Sequence, residues 1–127
     1  MIEQLANATL PRELSHITET ATVVVDSECP MTVDRMLRRL DVVRQRISVR
    51  WCGIPGAFGG YDDLHIERDI EAATGCLTFS GRLVKVGKAT HTVELVASVL
   101  PDDDGAAPRT LVHGTGCTLQ VSTTSKV

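Results

Sequence analysis

Aromatic residues are scarce. Trp51, Tyr61, Phe58 and Phe79 are the whole complement, 3% of 127 residues, so a core must be built from Val, Leu, Ile, Met and Ala. No apolar run approaches the ~18 residues that a membrane span needs. The N-terminal stretch MIEQLANATLPREL has neither the charged nor the hydrophobic region of a signal peptide. A cytoplasmic protein without membrane association is expected. Cys-x-x-Cys spacing is also missing. Cys29, Cys52, Cys76 and Cys117 are widely separated, which in a signal-free chain reads as free thiols, with Cys76 and Cys117 as small, buried strand residues. His65, His91 and His113 lie on different segments, and neighbouring strands can bring two of them together. No acidic or thiol ligand stands at metal spacing beside them, so no metal is expected. Positive charge is not in excess either. A net charge of −3 and a pI near 5.7 provide no global field for a polyanion, and no nucleic-acid partner is expected.

What is present reads as one soluble globular domain over residues 1–127, with 43% hydrophobic and 23% charged residues. From Leu64 to Val121 four segments read as successive strands: LHIERDI, GCLTFSGRLVKVG, KATHTVELVASVL and RTLVHGTGCTLQV. Alternation is cleanest in the third, where His91, Val93, Leu95, Ala97 and Val99 share one face. The breaks between strands carry turn residues: Ala72-Ala73-Thr74-Gly75, Gly87, and Pro101-Asp102-Asp103-Asp104-Gly105. Such short connections imply an antiparallel meander.

Upstream, Thr32 to about Arg50 reads as one long helix. Val33, Met36, Leu37, Leu40, Val43 and Ile47 form an apolar stripe, and Arg35, Arg38, Arg39, Arg44 and Arg46 fill much of the remainder. Thr32 suits the N-cap, Asp34 the first turn and Arg50 the last. Ala21 to Asp26, rich in β-branched residues, reads as a first strand. The order is strand, helix, four strands, an α+β class. The Gly59-Gly60 pair reads as a flexible connection into the strand that follows.

This layout resembles the hot-dog fold, an antiparallel sheet wrapped around one long helix. The residues from Leu64 to Val121 are similar to the C-terminal half of small acyl-CoA thioesterases of the phenylacetate-pathway type. Gly75, the Gly87-Lys88 pair and the Gly114-Thr115 step stand where that family has its glycine turn, Gly-Lys pair and Gly-Thr step. The resemblance implies hydrolysis of an acyl-CoA or acyl-carrier-protein thioester. It also implies a homodimer or homotetramer paired sheet edge to sheet edge, with sites at the interface and no cofactor. Rival readings are a non-catalytic acyl-thioester-binding module and a thioester-acting dehydratase or lyase.

The basic cluster of Arg82, Lys85 and Lys88 with Gly87 can converge on a compact anion. In the resembled family this turn contacts the phosphates of coenzyme A, and the alternative is an ordinary turn with solvated lysines. The family also places a glycine-bearing turn at the helix start and a carboxylate nine or ten positions later. Here the helix start reads ECPMTVDRMLRRLDVV, with neither His nor Gly. Counted from Met31 or Thr32, Asp41 stands at that distance and is the candidate catalytic carboxylate. The backbone N–H groups at Thr32 and Val33 are the candidate oxyanion donors. The alternative for Asp41 is a surface pair with Arg38 or Arg44, and the rival acids are Glu28 and Asp34.

Overall fold

The computed structural model describes residues 17–25, 31–69, 75–100, 105 and 107–121. Along the chain these form β1 (Thr18–Val25), α1 (Val33–Cys52), β2 (Ala57–Tyr61), β3 (His65–Ile66), β4 (Gly75–Val86), β5 (Thr90–Leu100) and β6 (Arg109–Leu119). The strands make one antiparallel sheet in the order β1-β4-β5-β6-β2, with β3 also paired to β6. α1 lies across one face of it.

The helix begins and ends where its sequence dictates. Thr32 is in extended conformation and its Oγ1 accepts from the Arg35 N–H at 3.2 Å, satisfying one of the orphan donors of the first turn. Gly53 adopts φ 85, and its N–H donates to the Val49 carbonyl at 2.9 Å, a left-handed cap that an L side chain would strain. Between these ends Met36, Leu40, Val43 and Ile47 are fully buried. They pack on the inward residues of the long strands, among them Leu77, Phe79, Leu83, Val93, Leu95 and Ala97. Gly81 sits directly beneath the helix. A Cβ there would stand 2.9 Å from both Leu95 Cδ2 and Val43 Cγ1, so its absence sets how closely helix and sheet approach.

Two segments differ from the sequence expectation. Gly59-Gly60 is not a flexible connection but part of β2, which pairs with β6 through a register shift between Phe58 and Gly60. The bulge lets two residues oppose one, and glycine tolerates the φ of 122 at Gly60. Of LHIERDI, in turn, the described residues contribute only the two-residue β3. Its flanks stay alongside β6 through single bonds, Asp62 N–H to Thr115 O and Glu67 N–H to Leu111 O. Gly114 makes that approach possible, since a Cβ there would lie 2.5 Å from the Asp63 carbonyl oxygen.

A third irregularity matters for the site. β4 and β5 shift register between Leu83 and Lys85, leaving Val84 as the extra residue. Without that bulge, strict alternation would turn Lys85 inward with Leu83. With it, Lys85 pairs with Thr92 and joins Arg82 on the face away from the helix.

Candidate active site

Asp41 projects from α1 beside β2, with about a third of its side chain (34%) exposed. Both of its oxygens are engaged. Oδ1 accepts from Arg44 Nε at 2.6 Å and Oδ2 from Gln45 Nε2 at 2.7 Å. Of the sequence alternatives for its partner, Arg44 is the one realised; Arg38 instead pairs with Asp34 at 3.1 Å on the open surface.

Arg44 is the organising residue of this region, and sequence reasoning placed it on the polar face. It is 2% exposed. Besides Asp41, its Nη1 donates to the Pro55 carbonyl at 3.1 Å and to Thr118 Oγ1 at 3.0 Å, and its guanidinium lies 5.6 Å from the Phe58 ring centroid. A buried cation is tolerated when its charge is paired and its donors are used, and both conditions hold here. Phe58 and Tyr61 meet edge to face at 4.8 Å. The Tyr61 phenol is pushed up from its ordinary pKa by burial first and by the Asp41 carboxylate second, with Arg44 pulling the other way. The signal for Arg44 in the sequence was its spacing: Leu37, Arg44 and Ser48 line up along the border of the apolar stripe. Ser48 is likewise buried, donating to Ile54 O at 2.7 Å.

His91 extends this cluster through the sheet. It pairs across strands with Thr118, the same residue that holds Arg44. Its ring is 1% exposed; Nδ1 lies 3.4 Å from Gln120 Oε1, and Nε2 is buried with no hydrogen-bond partner. Burial lowers its pKa from 6.5; the contact with Gln120 opposes this and the nearby Arg44 cation reinforces it. The unfolded chain therefore takes up a proton more readily than the folded one. The stability that neutral His91 permits is complete above pH 6.5 and is lost as pH falls from there through the lower folded value. Thermal midpoints measured between pH 7.5 and 5 are expected to fall with pH, and His91→Gln should flatten that slope. An unchanged slope would place the acid sensitivity elsewhere.

The basic cluster is divided by the fold. Lys85, Gly87 and Lys88 line a cavity of about 370 Å³ at the end of the β4–β5 hairpin, together with Thr90, His91 and Thr92. Two ammonium groups and two hydroxyls there suit a compact anion. The Gly87 N–H is already used, donating to the Thr90 carbonyl at 2.8 Å. Arg82 is outside this cavity. Its Nε donates to Glu94 Oε1 at 2.9 Å, across the strand pair.

At the helix start, Thr32 and Val33 present first-turn amides with no helical carbonyl behind them. They lie nine and eight residues before Asp41, so about 12–13 Å along the axis separates the two ends. A single carbonyl cannot meet both within one copy of the chain. Among the rival acids, Asp34 is spent on Arg38, and Glu28 lies outside the described residues, as does Cys29. Cys52 is an exposed free thiol, while Cys76 and Cys117 are half-buried free thiols. His65 and His113 do meet, with ring centroids 5.2 Å apart. No helix of the described residues is long and apolar enough to cross a membrane.

No protein-family model and no curated protein matches the sequence. Solved structures do match the fold. A single-residue variant of an acyl-CoA hydrolase from Staphylococcus aureus superposes with a TM-score of 0.71 at 11% identity, over 89% of this chain and 71% of that one. The same hydrolase in complex with butyryl coenzyme A, coenzyme A and its disulfide gives 0.69 at 11% identity, over 89% and 68%. The β-alanyl-CoA:ammonia lyase of Clostridium propionicum gives 0.65 at 17% identity, over 80% and 83%. The chain has the hot-dog fold: among the described residues, one helix is packed on a six-stranded antiparallel sheet.

Proposed function

We propose that the protein binds acyl thioesters of the coenzyme A type and hydrolyses them to a free acid and a thiol. The observation that carries this reading is a partly exposed helix carboxylate, Asp41, set beside the outermost strand of a hot-dog sheet. Its hydrolase-like neighbours support the same substrate class. In the reaction Asp41 takes a proton from water as the oxygen attacks the thioester carbonyl. The developing oxyanion accepts hydrogen bonds from the Thr32 and Val33 amides, then the C–S bond breaks and the thiolate is protonated. A carboxylate has about four lone-pair sites, so the bonds from Arg44 and Gln45 leave room for a water.

The separation of the two catalytic ends along α1 gives this proposal its oligomeric form. Among the described residues β2 closes one end of the strand order, and the proposed dimer pairs two copies edge to edge there, so that the helix start of one serves the Asp41 of the other. The site is then built at the contact between two copies. Lys85 and Lys88 take the phosphates of the coenzyme A moiety in their cavity.

Thiol release from a panel of acyl-CoAs, followed with a thiol reagent, tests the chemistry. Binding of free coenzyme A by calorimetry tests the phosphate site separately. Lys85→Gln with Lys88→Gln should weaken it by at least about tenfold at low salt without lowering the thermal midpoint. Binding indifferent to salt and to both substitutions would move the phosphates elsewhere. A second reading, addition or elimination on a thioester, draws on the likeness to a CoA lyase. It requires a change in substrate unsaturation without thiol release.

A further inference from the structure

Charge in this chain is segregated. α1 carries six arginines against two aspartates, a local balance of +4, while the rest has seven cations against fourteen carboxylates, −7. Arg44 is buried in the site; the other five arginines are exposed, Arg38 paired with Asp34 and Arg50 with Glu19 at the surface. Four of them, Arg35, Arg38, Arg39 and Arg46, recur with Val42 and Val49 at spacings of three and four, so the six residues share one stripe. That stripe lies away from the core-facing residues Met36, Leu40, Val43 and Ile47. Val42 and Val49 are 42% and 48% exposed, and a cavity of about 540 Å³ opens beside them, bordered also by Glu19, Gln45, Arg46, Arg50 and Pro55.

We propose that this arginine–valine stripe docks an acidic, aliphatic-bearing surface of the protein that carries the acyl thioester, an inference that rests on the thioester reading above. Charge complementarity selects the partner. Guanidinium groups match carboxylates in planar, two-bond geometry, and arginine around apolar anchors is a common interface composition. A second copy of this chain does not fit, because a two-fold contact through the stripe sets arginine against arginine. A nucleic acid makes no use of the valines, and the strongly acidic remainder repels a long polyanion. Free coenzyme A is too small: the stripe runs from Arg35 to Val49, about 21 Å of helix, which is the length of a docked helix rather than of a phosphate group. Asp41 stands three residues after Arg38 of the stripe, a neighbouring position on the helix surface, so a thioester on a carrier's arm enters beside the docked surface.

The test compares one acyl group on two carriers, coenzyme A and a bacterial acyl carrier protein, in the wild type and in Arg39→Glu with Arg46→Glu. The double variant should lower kcat/KM for the protein-borne thioester by about tenfold or more, with the loss shrinking as salt rises. Turnover of the acyl-CoA should stay within about twofold, since neither arginine belongs to the hydrolytic site. Equal losses on both carriers, or none on either, overturn the proposal. Should the wild type hydrolyse neither thioester, calorimetry with the carrier protein alone decides: stripe-dependent, salt-sensitive binding upholds docking while the hydrolysis reading fails, and no binding overturns docking. Duplex DNA binding the stripe more tightly than the carrier protein overturns it as well.

Discussion

Leu40→Asp is expected to cost roughly 4 kcal/mol or more, because the site offers a buried carboxylate no partner. Leu40 is fully buried between α1 and the sheet, in the middle of the run Met36, Leu40, Val43 and Ile47. The helix cannot lift away cheaply to hydrate the charge. It rests on Gly81, where no side chain separates it from β4, and its loss would uncover most of the inward faces of β4 and β5 at once. Against a total stability of 5–15 kcal/mol typical of such domains, roughly, the variant is at the edge of folding. Its thermal midpoint should drop by at least about 10 °C. Leu40→Met, which keeps the volume, should cost less than about 1.5 kcal/mol. Equal midpoints for Leu40→Asp and the wild type would mean that the apolar stripe does not face the sheet.

The fold was legible wherever one physical signal dominated. α1 declared itself through a 3.6-residue apolar period bracketed by Thr32 and Gly53, and both caps are present in the structure. β5 declared itself through strict alternation, and His91, Val93, Leu95, Ala97 and Val99 are all buried. The errors fell where backbone geometry overrides composition. Gly59-Gly60 resembles a loop because glycine has no strand preference, yet in β2 the pair provides a bulge and lets the strand lie close on β6. LHIERDI has enough β-branched and apolar character for a strand, yet among its described residues only His65 and Ile66 pair in the ladder with β6. Val84 is invisible in the sequence as a bulge, although it decides on which face Lys85 stands.

The site was legible in parts. Asp41 came from a family spacing, and the structure leaves about a third of its side chain (34%) exposed. What no spacing conveyed was the connection between clusters. Lys85 and Lys88 share a cavity with His91, His91 faces Thr118, and Thr118 holds Arg44 against Asp41. These contacts join residues far apart in the chain. On their own elements Arg44 looks like a surface charge and His91 like one more residue of the core-facing row. Only the register of β5 on β6, and the packing of α1 above them, brings the two within electrostatic reach.

Asp41→Asn should reduce thioester turnover by about 100-fold or more if this carboxylate is the general base. The substitution keeps shape and volume, and the amide oxygen still accepts from either Arg44 or Gln45. One of those two bonds is lost, since the amide NH₂ cannot accept a donor. Arg44 would retain Pro55 O and Thr118 Oγ1 as acceptors, so the buried guanidinium is not stripped of hydrogen bonds. Its charge does lose its close counterion, and a modest fall in the thermal midpoint is expected on that account. A kcat that collapses while KM and free coenzyme A affinity hold steady assigns the role to proton transfer rather than to binding. Arg44→Lys separates positioning from chemistry: the Asp41 carboxyl is kept but loses the rigid guanidinium that fixes it, and kcat should fall less than in Asp41→Asn. Full activity in Asp41→Asn would eliminate the helix carboxylate and turn attention to Glu28, just ahead of the helix start.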